Sequence, residues 1–386
     1  MTTQDTNVFT EDAPMFSGVP QHAQFARMQH LMPCLLMEPS PHPMVFPDGD
    51  RIALPTTYTF EGDVRNTHAL LGATYTSALL VLKEGRVCFE HYWLTGGRTT
   101  QWISMSVAKS VVSALVGIAL EEGAIRSIDD AIDQYATDLK GSAYDGVRIK
   151  DVLQMSSGVL FSENYSDLAS EIHRLGAAVG PGGSVDEFMV SLKRAHEPGT
   201  RCVYCSTDTQ ALGMLLAAAT GRSLTEYTQE KLYTPLGMES PGFWLTDSQG
   251  RELAFMGLLM TARDFAKFGE LYRKGGTWNG QQLVPAEYVK HSTRADGDHV
   301  QPGGPVVGDH VFGPGYGYQW WLPEGDNGDY SAIGVYNQYI YVDPKRNTVI
   351  VKLSANPAYG TTTREQDNKD LENIALLQAI SRHVGG

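Results

Sequence analysis

One long apolar run constrains this chain more than any other stretch. It opens at Ser104-Met105-Ser106-Val107-Ala108-Lys109-Ser110, and from Val107 to Leu120 the only polar side chains are Lys109, Ser110 and Ser113. No proline interrupts it, and Glu121-Glu122-Gly123 supplies a stop. The pattern predicts a helix over 106–122 that is apolar almost all round, and so buried in the middle of a domain. A buried helix carries a lysine in its first turn only for a reason, because burial lowers the pKa of the amine and makes it a base. Ser106, three residues earlier, shares its face of the first turn. The helix N-terminus adds free N–H groups and positive potential, which suit an oxyanion forming at Ser106. Together these describe an activated serine. Two plainer assignments stay open. Ser106 could be only an N-cap, and Lys109 could run its head out to solvent; Ser-x-x-Lys arises about once by chance in a chain of this length.

Composition removes several function classes. The chain has 386 residues, 42% of them hydrophobic, enough for one large domain or two intimately packed ones. The formal charge of −14 leaves no basic stripe for nucleic acid or an anionic membrane surface. The start, MTTQDTNVFTEDAP, lacks the basic and apolar regions of a secretory signal, and no run of about eighteen apolar residues exists. A cytoplasmic protein without a membrane span is expected. Cys34, Cys88, Cys202 and Cys205 are few and scattered, as in a reducing compartment. Cys202-Val-Tyr-Cys205 has thiol-redox spacing but no second pair to complete a zinc site. Neither metal nor cofactor is expected. A homodimer is compatible with the sequence.

Read in order, residues 1–65 form a Pro-, Met- and His-rich arm. Thr76–Lys83 and Arg86–Trp93 are β-prone runs around Glu84-Gly85, an antiparallel hairpin. After the Ser106 helix, 125–140 suggests a turn and a short helix, and Ile149–Met155 another short helix. Residues 161–183 mix polar residues with glycines and read as a surface excursion near a binding cleft. Helices are expected over 185–192, 207–220, 224–232 and 261–274. From about 316 the period changes to two, predicting strands over 316–322, 331–342 and 348–354. A helix over 365–380 closes the chain. The fold class is therefore α+β: one antiparallel sheet flanked by helices, with a mainly helical region on its flank. The expected divisions are the arm 1–65, a sheet-bearing domain from 66–122 and 262–386, and a mainly helical domain 123–261, with the active site at their interface. There is no Gly-x-Ser-x-Gly elbow, no His-Glu-x-x-His and no Walker loop.

Several motifs in order resemble one family. Ser106-Val-Ala-Lys109, Tyr204-Cys205-Ser206 and Ser331-Ala332-Ile333-Gly334-Val335 stand where the serine β-lactamase and penicillin-binding-protein superfamily has its Ser-x-x-Lys, Tyr-x-Asn/Ser and Lys-Thr-Gly motifs. The branch is that of class C β-lactamases and related carboxylesterases. Within it the chain is most similar to 6-aminohexanoate-dimer hydrolases, through Tyr144-Asp-Gly146, Thr261-Ala-Arg-Asp264, Gln319-Trp-Trp321 and Ile350-Val-Lys-Leu-Ser354. The resemblance covers about 75–385 and implies a β-lactamase-like (DD-peptidase) fold.

What it implies for the site is specific. Ser106 attacks a carbonyl and forms an acyl-enzyme, with Lys109 and Tyr204 holding the proton network. An adjacent ammonium is expected to lower the Tyr204 pKa; which of the two takes the serine proton stays open. Tyr204 is expected to give a proton to the leaving group and to activate the deacylating water. The N–H groups of Ser106 and Val335 form the oxyanion hole, and Gly334 lets substrate approach the strand edge. Tyr165 falls at the place of a tyrosine that closes over substrate, and Ser206 bonds Lys109, caps the next helix or takes a direct part in catalysis. Ala332 replaces the motif lysine, which argues against recognition of a β-lactam or peptide carboxylate and favours a small ester or linear amide. Residues around Phe255-Met256, polar in some nylon-oligomer hydrolases, are apolar here. The expected activity is that of a serine hydrolase. The alternatives are a β-lactamase or D-amino-acid peptidase, and a non-catalytic binding protein on the same scaffold.

Overall fold

The computed structural model describes residues 15–325 and 327–385. The first fourteen residues of the expected arm lie outside the described residues.

The apolar run forms the helix Val107–Glu121, with every residue from Val107 to Ala119 buried. At roughly 2 kcal/mol for each buried Val, Leu or Ile, this face-independent burial fixes the helix at the centre of the molecule. Its two inner serines are not orphaned. Ser110 Oγ donates to Gln319 O at 2.6 Å and Ser113 Oγ to Tyr318 O at 2.8 Å. The helix packs on Ser206–Thr220 on one side and on the main sheet on the other. Ser206–Thr220 ends at Gly221, whose φ of +67° makes the left-handed cap that glycine supplies most easily.

The main sheet has seven antiparallel strands. Across it run Gly315–Tyr316, Trp321–Leu322, Tyr330–Gly334, Gln338–Asp343, Thr348–Ser354, Thr76–Lys83 and Arg86–Tyr92. The early hairpin thus pairs with the last strand, Ile350 opposite Val81. Period-two alternation sends the two faces to different helices. Ile340 and Val349 pack under Gly269 of Ala262–Arg273. Tyr339 and Asp343 hydrogen-bond Asp370 and Ser381 of the terminal helix Asp370–Gly385.

Five local expectations need correction. The run 331–342 is two strands, turned at Tyr336 (φ +64°) and Asn337 (φ +69°). The run 316–322 is two short strands around Gln319, also at φ +64°. The closing helix breaks at Lys369 (φ +58°), because Asp370 is held by Asn337, Tyr339 and Tyr359. Residues 132–139 make 3₁₀ turns rather than a helix. Within 161–183 lies a regular helix, Glu171–Val179, seated by buried Leu175 and Val179.

A second sheet crosses the expected divisions. Its order is Cys34–Met37, Gly242–Leu245, Leu258–Met260, Trp102–Ile103. It takes one strand from the arm, two from the mainly helical stretch and one from the segment leading into the Ser106 helix. Among the described residues no helix is long and apolar enough to cross a membrane, and no group of three or more His, Cys, Asp or Glu could hold a metal ion.

Candidate active site

Strand Trp102–Ile103 delivers the chain to Met105, which sits at φ +48°. That conformation is uncommon for a bulky side chain and concentrates at functional turns. Ser106 follows at the helix N-terminus, but its side chain caps nothing. Instead its Oγ lies 2.8 Å from Lys109 Nζ. Lys109 is 1% exposed, so it does not reach solvent. Its amine also contacts Ser206 Oγ at 3.1 Å and Phe255 O at 3.0 Å. Ser106 thus holds the N-cap position without a capping bond from its side chain, and the solvent-lysine assignment is overturned. Burial lowers the Lys109 pKa to about 8, against an opposing pull from the negative charge of Glu163.

Tyr204 brings its ring to 5.1 Å from Lys109 Nζ, at the start of the Ser206–Thr220 helix. Its pKa moves opposite to expectation. Burial, first, and then the Glu163 charge push the phenol well above its usual 10, with a hydrogen bond to Ser106 pulling weakly the other way. Tyr204 therefore stands as a phenol and Lys109 as the group that deprotonates near neutrality. Ser206 bonds Lys109 and does not cap its helix.

Glu163 is the site residue that sequence reasoning missed. It is buried, accepts the Ser206 N–H at 2.5 Å and accepts the Tyr165 hydroxyl. Its charge bears on Lys109, Tyr204 and Tyr165 alike. Tyr165 itself stacks on Phe16 at 4.5 Å.

The strand Tyr330–Gly334 closes the other side. A Cβ on Gly334 would stand 2.7 Å from Ser104 O and 3.0 Å from Ser106 N, so only glycine permits this approach. The approach brings the Val335 turn to the cleft beside Ser106. Neither the Ser106 N–H nor the Val335 N–H has a backbone acceptor among the described residues. All seven residues singled out in the sequence (Ser106, Lys109, Tyr165, Tyr204, Ser206, Gly334 and Val335) thus gather at one cleft. Ala332 is buried in the sheet and lines neither side of it, whereas Ile333 does line it.

Ser106 sits where two chambers meet, with cavity volumes of about 260 and 290 Å³. The first is walled by Tyr204, Trp321, Phe312 and Tyr359 and carries Glu163, Glu365 and Asp370. Burial, and then the charge of Asp370, raise the Glu365 carboxyl; burial raises that of Asp370. The second chamber is largely aliphatic. Among the described residues lining the two there is no lysine or arginine. Cys202 and Cys205 are buried free thiols, raised in pKa chiefly by burial.

A serine bonded to a buried lysine of lowered pKa, facing a cleft with unclaimed backbone donors, defines a serine hydrolase. The chain belongs to the β-lactamase family, whose sequence model, described as Beta-lactamase, matches residues 64–375. It is similar to the 6-aminohexanoate-dimer hydrolase of Paenarthrobacter ureafaciens, 30% identical over 299 residues that make up 74% of each chain. Among solved structures it superposes on a putative 6-aminohexanoate-dimer hydrolase from Bacillus anthracis with a TM-score of 0.82, at 23% identity over 94% of both chains. A hydrolase with promiscuous acyltransferase activity gives a TM-score of 0.62 at 19% identity, over 83% of this chain and 96% of that one. These two likenesses speak for the fold, which is the α+β, β-lactamase-like fold expected from the motifs.

Proposed function

We propose that this chain hydrolyses short esters or linear amides through an acyl-enzyme on Ser106. The observation that carries the reading is the 2.8 Å contact between Ser106 Oγ and a buried Lys109 amine with a pKa near 8. The neutral amine has two N–H groups for Phe255 O and Ser206 Oγ, which leaves its lone pair for the Ser106 proton. Oγ attacks the carbonyl carbon as its proton passes to Lys109. The N–H groups of Ser106 and Val335 receive the oxyanion. The C–O or C–N bond then breaks as Tyr204 protonates the leaving group, and the Lys109 ammonium restores the Tyr204 proton. A water gives its proton to the neutral Lys109 amine and attacks the acyl carbon; the acyl–Oγ bond breaks as the Lys109 ammonium passes that proton to Ser106 Oγ, which restores the hydroxyl and the neutral amine. This gives Lys109 the base role in both halves, because a phenol held above 10 is a weak base at pH 7.

The charge of the cleft favours an ester or amide over a β-lactam or a D-amino-acid peptide. Those substrates carry a carboxylate, and among the described residues neither chamber offers it a lysine or arginine. The hydrolase of Paenarthrobacter ureafaciens supports linear amides within the same range. The test is intact-protein mass spectrometry after a fluorophosphonate probe, with turnover of p-nitrophenyl acetate, 6-aminohexanoate dimer and nitrocefin alongside. One adduct on the wild type, none on Ser106→Ala, and no nitrocefin turnover are expected. A folded wild type that takes no adduct and turns over none of the three moves the chain to the binding-protein alternative.

A further inference from the structure

The two chambers are chemically unlike, and Tyr204 tells them apart. It lines the carboxylate-bearing chamber and not the aliphatic one. A proton donor to the leaving group must lie on the leaving-group side of the scissile bond. The leaving group therefore occupies the Tyr204 chamber, and the acyl chain extends the other way, past Met105 and Phe255.

That second chamber is formed by Phe16, Ile172, Leu175, Val179, Phe255 and Met256. Among the described residues its polar side chains are Ser106, Ser206, His173 and Tyr165, the last with its hydroxyl donated to Glu163. The first two face Lys109, and the His173 ring nitrogen lies 2.9 Å from Tyr165 O. Among the described residues no carboxylate lines it. A charged group at the end of an acyl chain would lose its water there and gain no partner, whereas each methylene buried is favourable. Leu168, 82% exposed, stands at the chamber and continues the apolar path outward. On the helix Glu171–Val179, Gly176 presents a bare face to the chamber, and a Cβ placed on it meets nothing within 4 Å. That face leaves room for chain rather than for side chain.

We propose that the aliphatic chamber is the acyl site and that it selects acyl groups with an uncharged, apolar chain of several methylenes. The substrates are then esters or amides of medium-length fatty or similar apolar acids rather than of ω-amino acids. The inference rests on Ser106 forming the acyl-enzyme.

The experiment measures kcat/KM of the full chain for the p-nitrophenyl esters of acetic, butyric, hexanoic and heptanoic acid. It adds the 6-aminohexanoic ester, in which an ammonium replaces the terminal methyl of heptanoate. The expected result is a rise of about threefold or more per added methylene, with the ammonium ester at least tenfold below heptanoate. Gly176→Leu fills the chamber from a helix that tolerates leucine, so it should lower the heptanoate-to-acetate ratio of kcat/KM by tenfold or more. Ser106→Ala runs in parallel. Ser106-dependent turnover with a flat chain-length profile, or with the ammonium ester preferred, overturns the acyl-site inference and leaves the hydrolase reading standing. Absence of any Ser106-dependent turnover overturns both.

Discussion

Replacing Lys109 by methionine separates the cost of the buried amine from its use. The change keeps the length of the side chain and removes the ionisable head. In the folded chain the Lys109 pKa is about 8 against the usual 10.5, lowered by burial. Below pH 8 the lysine is charged in both the folded and unfolded states, and folding bears the full cost of burying the charge. Between pH 8 and 10.5 the unfolded chain binds more protons, so stability rises with pH through that window. Above it both forms are neutral and the cost is gone. At 1.36 kcal/mol per pH unit, the gap amounts to about 3 kcal/mol. Burial lowers the pKa of Lys352 as well; the difference between wild type and variant cancels such other groups. Denaturant unfolding at pH 7 and at pH 10.5 is the assay. The stability of Lys109→Met relative to wild type should be about 3 kcal/mol more favourable at pH 7 than at pH 10.5, while hydrolysis falls by a factor of at least ~10². The lost contacts to Ser206 and Phe255 O lower both values alike and drop out of the comparison. A stability difference that does not change with pH would refute the buried-base argument.

Two further outcomes follow from the same geometry. Glu163→Gln removes the charge that opposes the lowering of Lys109, so the alkaline-rising limb of kcat/KM should move below its wild-type position near pH 8; an unmoved limb would reduce Glu163 to a hydrogen-bonding prop for Ser206 and Tyr165. Gly334→Ala forces a Cβ against Ser104 O and Ser106 N, and should cost on the order of 10²-fold in kcat by displacing the Val335 donor. Wild-type kcat in that variant, with the melting temperature unchanged, would show that the strand edge has slack.

What the sequence disclosed depended on whether the signal was local. The Ser106 helix was legible because its period, its lysine and its stop lie within one stretch. The hairpin at Glu84-Gly85 was legible for the same reason, and both residues do take positive φ. Tyr204 and Val335 were found only through the order of family motifs, since nothing near them in sequence marks a phenol or a peptide N–H as special. Glu163 carried no signal, because its partner is the Ser206 N–H on another element. The strand break at Tyr336-Asn337 places neither glycine nor proline at its two positive-φ positions. A long-range bond instead supports it: Phe16 N–H donates to Tyr336 Oη at 2.7 Å. In Glu171–Val179, glycines masked an apolar spacing at Ile172, Leu175 and Val179 that is helical. The break at Lys369 belongs to Asp370, whose partners lie on the sheet.

The pairing of Thr76–Lys83 with Thr348–Ser354 has a temporal meaning. The chain emerges from the ribosome with its proposed nucleophile, Ser106, early and its proposed second oxyanion donor, Val335, late, more than two hundred residues further on. Until the last strands arrive, the edge of Thr76–Lys83 stands unpaired and the Ser106 N–H has no companion. The protein is thus a hydrolase only when finished. A nascent or truncated chain holds the serine and the lysine together in one helix and yet lacks the wall that would let them react. On the mechanism proposed above the final hairpin completes the site, and any two-piece split between residues 122 and 330 should be silent in each half.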